Sequence, residues 1–294
     1  MNRTVTYFLC GLLVCFSALF AMPGTAQAQG AAGTGAEYET QKIITMPTAG
    51  IIEKGKYSVD VNVFAPGGTA IDFNAGVLKN FSIGVAFSGS GIIGATAMRF
   101  QSMPGFSLKF RIIDEEKSLP AISLGFTSQG SGYWYKGKTI KLDSAGDNVE
   151  FGKRFQVMSP GFYVAASKSF NWALGCFVAH GGVNYSIEPN EDNKSINAYL
   201  GMEQTIGSRI AINGEYNFNL DERDYDYTSY TDGTRYRYMK QIGTLSAAFR
   251  YSISKGVTVS LEFHDILRNR NKDVTPYNGG QIERRMNLQM IKSF

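Results

Sequence analysis

Residues 55–87 read GKYSVDVNVFAPGGTAIDFNAGVLKNFSIGVAF, and this stretch decides the fold. Tyr57, Val59, Val61 and Val63 alternate with Ser58, Asp60 and Asn62 across a first segment, Gly55 to Ala65. In the second, Ile71, Phe73, Ala75 and Val77 alternate with Asp72, Asn74 and Gly76. Leu78-Lys79-Asn80 makes a tight turn into the third, where Phe81, Ile83, Val85 and Phe87 alternate with Ser82, Gly84 and Ala86. A period of two belongs to extended chain with one apolar and one polar face.

The same rhythm runs to the last residue. Phe106, Leu108, Phe110 and Ile112 face away from Ser107, Lys109 and Arg111, and Ile122, Leu124 and Phe126 oppose Ser123, Gly125 and Thr127. The sixth and seventh strands are expected to meet near Ser169-Phe170-Asn171, with Trp172, Leu174, Cys176 and Val178 on the apolar face of the seventh. Ile196 to Met202, Ile210 to Phe218, Leu245 to Ile253 and Val257 to Phe263 supply four more, and the last runs through Met286, Leu288, Met290 and Lys292 to Phe294. The count is twelve, with ten and fourteen as neighbouring values. Short connections fall at 78–80, 114–118, 168–171, 205–209 and 253–256, and long ones at 88–105, 128–158, 186–195, 219–239 and 265–280. Loops sorted this way predict an all-β, closed antiparallel transmembrane β-barrel over residues 55–294, with N- and C-termini periplasmic. A soluble β-sandwich explains the periodicity but neither the loop sorting nor the terminal Phe294.

Ahead of the strands, Met1-Asn2-Arg3, the apolar run Tyr7 to Ala21 and the small-residue site Ala26-Gln27-Ala28 read as a signal peptide over residues 1–28, cleaved after Ala28. Residues 29–54, whose stretch Gly30 to Gly50 is rich in Ala, Gly and Thr, are expected to lie in the periplasm. Processing removes Arg3 and leaves 28 Lys+Arg against 25 Asp+Glu, which argues against a nucleic-acid surface. Of three cysteines only Cys176 survives, so no internal disulfide is possible, and a closed ladder of backbone hydrogen bonds must stabilise the exported chain.

Parity assigns functional candidates. Asp60, Asp72, Lys109, Arg111, Glu203, Glu215, Arg250, Glu262, His264 and Arg285 all fall on the polar face of their strands and are expected to line the lumen. There they either form a charged path or fill a small barrel as neutralising pairs. Tyr57, Phe81, Trp172 and Phe294 are expected in the periplasmic aromatic girdle, with Lys292 as a charge at the lipid face that can snorkel to the headgroups. The expected partners are outer-membrane lipids and, through the C-terminal strand, the barrel-assembly machinery. No enzyme is expected: His264 and Asp265 are adjacent and point to opposite faces, although Glu262 shares the face of His264. No metal or cofactor is expected either. Asp224, Asp226 and Asp232 in the tyrosine-rich loop 221–238 lack the glycine and closing glutamate of a calcium loop.

Pro104-Gly105-Phe106 through Arg111-Ile112-Ile113-Asp114-Glu115-Glu116, followed by Leu119-Pro120-Ala121-Ile122-Ser123-Leu124-Gly125-Phe126, resembles the YjbH-like family of outer-membrane barrels. Phe162 to Lys168 and Glu215-Tyr216-Asn217 are similar to later strands of that family, and Met46-Pro47-Thr48-Ala49-Gly50 to the start of its shorter, barrel-only members. The resemblance implies a role in exopolysaccharide export or assembly, with polysaccharide as partner. A general small-solute pore and, further off, an outer-membrane lipid hydrolase are the alternatives.

Overall fold

The computed structural model describes residues 38–95, 97–141, 148–188, 195–221, 226–228, 235–237, 243–268 and 281–294. The cleavage-site residues Ala26 and Ala28, and most of the loop 221–238, lie outside them. The described strands, in chain order, are β1 (Lys56–Phe64), β2 (Gly68–Leu78), β3 (Phe81–Ser90), β4 (Arg99–Phe100), β5 (Gly105–Ile113) and β6 (Ala121–Thr127). Next come β7 (Ser131–Lys141), β8 (Asn148–Val157), β9 (Gly161–Trp172), β10 (Gly175–Tyr185), β11 (Asn197–Ile206) and β12 (Ile210–Asn217). The chain ends with β13 (Asp226–Thr228), β14 (Arg235–Arg237), β15 (Thr244–Ser254), β16 (Val257–His264) and β17 (Glu283–Ser293).

Twelve of these form a closed antiparallel ring, β1-β2-β3-β5-β6-β9-β10-β11-β12-β15-β16-β17, sealed by pairing of the last strand with the first. Val59 lies opposite Met290 and Asp60 opposite Gln289 at that seam. The other five are loop structure: β4 extends the edge of β3, while β7–β8 and β13–β14 are separate hairpins. Closure leaves no unpaired edge, which lipid requires of a spanning sheet.

Burial is inverted relative to a soluble protein. Phe73, Val85, Phe87, Phe106, Leu108, Phe110, Leu124, Phe162, Met202, Ile212, Phe249, Leu261 and Leu288 are exposed on the outside. Their polar neighbours, among them Ser58, Ser82, Ser123, Thr205, Asn213, Thr258 and Ser260, are buried inside. A sandwich would bury the first group against itself. An apolar belt around a polar interior belongs to a barrel that spans the outer membrane.

Two expectations are corrected. The turn between the sixth and seventh barrel strands lies at Ala173-Leu174, not at 168–171, so Trp172 ends β9 and β10 starts at Gly175. Gly175 has φ 142°, and a Cβ there would meet the carbonyl oxygen of Thr205 at 2.4 Å, so the chain restarts where glycine alone fits. The shift reverses the seventh strand's parity: Cys176, Val178 and His180 turn inward and are buried, with Cys176 at 0% exposure instead of facing lipid. The second correction concerns residues 29–54. Their described part does not lie outside the ring: Ile43, Met46, Thr48, Ala49, Ile51 and Ile52 are buried within it.

Candidate functional site in the barrel lumen

Residues 38–52 enter the lumen as a hairpin. The base is at the end of the short turns, where Tyr38 packs with Ile52 and Ile291 and its hydroxyl donates to Thr258 Oγ1 (2.7 Å). The Ile43 amide donates to the Met46 carbonyl (2.8 Å) and the Thr48 amide to the Gln41 carbonyl (3.2 Å), which turns the chain back toward β1. Missing Cβ atoms make room for it. A Cβ on Gly201 of β11 would lie 2.5 Å from Ile43 Cδ1, and one on Gly76 of β2 would lie 2.1 Å from the Glu53 carbonyl oxygen.

The barrel wall holds this hairpin mainly by its backbone. Glu215 of β12 accepts the amides of Ile44 (2.9 Å), Thr45 (2.8 Å) and Met46 (2.9 Å), and also the Thr45 hydroxyl. Lys109 of β5 donates to the carbonyls of Gln41 and Gly50, both at 3.0 Å. Arg111 donates to the Ala49 carbonyl through Nε (3.2 Å) and Nη2 (2.9 Å), and pairs with Glu39. Ser123 also donates to Ala49 (2.8 Å), while the Ala49 amide donates to Ser167 Oγ (3.0 Å), which lies 2.8 Å from His180 Nδ1. Arg250 donates to the carbonyls of Lys42 (2.9 Å) and Ile43, and faces Glu203 at 3.5 Å. Glu203 accepts from Thr40 Oγ1 (2.6 Å) and Asn213 Nδ2 (2.9 Å).

Charge completes the fit. Asp60 and Asp72 are direct register partners on β1 and β2, both inward, and like charges opposite each other destabilise a ladder. Lys42 of the hairpin relieves the repulsion, with Nζ 2.6 Å from Asp72 Oδ2.

The long connection between β6 and β9 closes over the hairpin tip. Val157 joins Ile43, Ile44, Met46, Tyr199 and Ala248 in one buried apolar cluster inside the lumen. Arg285 of β17 ties this connection down: it bonds Ser131, reaches Gln156 Oε1 (3.5 Å), pairs with Glu283 (2.9 Å) and lies 5.7 Å over the Phe64 ring. Glu188, outside the strands, accepts the Phe155 (2.9 Å) and Ser159 (2.7 Å) amides, although burial pushes its carboxyl above the usual carboxylate range. Glu262 accepts from Asn62 Nδ2 (3.2 Å) and lies 3.1 Å from His264 Nε2.

Space remains on both sides of the hairpin. One cavity, of about 80 Å³, is bounded by Lys42, Thr45, Asp60, Asp72, Arg250 and Glu262. Another, of about 190 Å³, is bounded by Glu39, Arg111, Ser167, Ser169, His180 and Glu203. They share no lining residue, and the hairpin lies between them.

All ten lumen candidates therefore face inward. Asp72, Lys109, Arg111, Glu203, Glu215 and Arg250 gather on the hairpin, Arg285 on the long connection, Asp60 and Glu262 beside the first cavity, and His264 is buried against Glu262. Sequence reasoning missed Ser123, Ser167, His180 and Asn213, and above all the hairpin, which Ser123 and Ser167 contact directly and which His180 and Asn213 reach through Ser167 and Glu203. Its signal was present: Ile43, Ile44, Ile51 and Ile52 are large apolar residues in a stretch read as a periplasmic segment of small residues. At the short-turn rim Tyr57 stacks on Phe73 (5.8 Å between ring centres) and tilts against Phe294 (5.3 Å). Trp172 is exposed and donates to Gln204 Oε1 (2.9 Å), Phe81 pairs in register with Phe110, and Lys292, opposite Tyr57, is exposed. Among the described residues, no three His, Cys, Asp or Glu side chains converge as a metal site.

Comparison with known proteins finds no matching family model and no matching curated protein. Among solved structures the chain is similar to the KdgM porin, with TM-score 0.43 and 9% identity over 81% of this chain and 99% of that one. It is also similar to the NanC porin in a rhombohedral crystal form, with TM-score 0.39 and 9% identity over the same shares. At this level of similarity the functional reading rests on the chain's own geometry.

Proposed function

We propose that this chain is a non-enzymatic outer-membrane channel for small solutes, held closed by its own residues 38–52. The observation that carries the reading is the chemistry of the wall behind the hairpin. A permanently packed interior gains nothing from buried ions, since apolar residues of the same volume are often as stable or more so. A wall of Ser, Thr, Asn, Asp, Glu, Lys and Arg suits an interior that meets water when the hairpin leaves. The hairpin is attached to that wall by no covalent bond, and it is continuous with β1 at the short-turn end.

The Ser167–His180 pair does not favour a hydrolase, because the Ala49 amide donates to Ser167 Oγ and the buried His180 Nε2 has no hydrogen-bond partner among the described residues to orient the ring. The polysaccharide role implied by the resemblance has no counterpart in the lumen geometry and stays secondary.

Planar-bilayer recording tests the channel. The unmodified protein is expected to be closed most of the time. Lys42→Glu places a third carboxylate beside Asp60 and Asp72, at a cost of about 1–4 kcal/mol for like charges near 4 Å. Open probability should rise about tenfold or more. If neither protein conducts, the channel reading fails.

A further inference from the structure

We infer that the lumen wall is a binding site for short peptides, which makes peptides the solute class of the open channel. The binding stands on the geometry alone; the transport rests on the channel reading above.

The hairpin is a peptide already seated in the site, and what the wall reads in it is main chain. Amides of Ile44, Thr45, Met46 and Ala49 and carbonyls of Gln41, Lys42, Ile43, Ala49 and Gly50 all meet side chains of the barrel. The groups doing this sit on separate strands: Lys109 and Arg111 on β5, Ser123 on β6, Ser167 on β9, Glu215 on β12 and Arg250 on β15. Successive amides converging on one anion are the nest that a polypeptide turn can form. An oligosaccharide presents hydroxyls, and it has no triplet of N–H groups to offer Glu215.

Two further features narrow the class. Ile43 sits over Gly201, and Met46 packs in the same apolar cluster with Val157, Tyr199 and Ala248, so the turn region takes aliphatic side chains. The Asp60–Asp72 pair takes a cation where Lys42 now lies. The preferred ligand is a short, turn-forming peptide with a basic residue just before an aliphatic one.

A free peptide competes with a tethered one, whose effective concentration is about millimolar for a short linker. The test therefore weakens the tethered copy and leaves the wall intact. Full-length protein carrying Lys42→Glu and Met46→Asp, folded in detergent and checked by gel mobility, is titrated against a fluorescent synthetic peptide of residues 38–52. Binding at least tenfold tighter than to the unmodified protein is expected, and Glu215→Gln added to the pair should weaken it at least tenfold. Maltohexaose, of comparable length, should not displace the peptide. Should the double variant not fold, Lys42→Glu alone carries the same titration. Binding indifferent to Glu215→Gln, equal binding to the unmodified protein, or displacement by maltohexaose overturns the peptide site. Bilayer currents separate the two claims: conductance without peptide binding removes the inference and leaves the channel, and binding without conductance does the reverse.

Discussion

Glu215 concentrates the hairpin's attachment in one side chain. Three amides and a hydroxyl reach its two oxygens, and no other wall residue accepts as many groups from residues 38–52 among the described residues. Glu215→Gln replaces one acceptor oxygen by a donor that faces donors. A hydrogen bond to a charged group is worth about 1.5–3 kcal/mol, so the docked state should weaken by roughly ten- to a hundredfold. Lys42 reports the loss, because trypsin reaches it only when the hairpin leaves the lumen. Cleavage after Lys42 should accelerate by at least tenfold in the variant, and an unchanged rate would mean that Glu215 holds nothing. At this scale the sequence was legible wherever side-chain size contrasted strongly along a strand. The parity of Glu203, Glu215, Arg250 and Glu262 follows from large apolar neighbours such as Tyr216, Phe249 and Leu261. Cys176 was misplaced because β10 offers Ala179 and Gly181 outside and Val178 inside, and the contrast that sets parity is gone.

The elements inside the ring are less legible than the ring itself. A strand announces itself by a period of two over about ten residues, whereas residues 38–52 carry no period and reach their shape only by bonding to strands far along the chain. Their expected place outside the barrel came from composition, and composition does not record which backbone groups find partners. The same holds for the connection between β6 and β9, read as an outer loop; its Val157 and Gln156 turn inward. Arg285 fastens that connection through Ser131 and Gln156. Arg285→Gln should leave the barrel closed around its seam but free the connection. Limited proteolysis within residues 128–160 should then proceed several times faster, while the strands stay resistant. Resistance equal to that of the unmodified protein would show that Arg285 serves Glu283 alone.

As a whole, the molecule is stabilised from two sides. Its twelve-stranded ladder has no edge to fray, and its outer belt of Phe, Leu, Ile, Val and Met side chains suits hydrocarbon. That much was legible from loop sorting and parity, since both follow from local sequence. A closed ladder of this kind resists detergent at room temperature. Unboiled protein should migrate faster than boiled protein in detergent gels and fractionate with outer membranes, and a soluble periplasmic product would refute the architecture. The occupied lumen adds the second layer, a polar wall bonded to the backbone of the chain's own hairpin. Hydrogen exchange of the Ile44, Thr45, Met46 and Ala49 amides in the folded, detergent-solubilised protein tests that occupation most directly. The account predicts protection comparable to that of strand amides in β5 and β12. Exchange at the rate of an unstructured peptide would contradict it, and would leave the charged wall open to water.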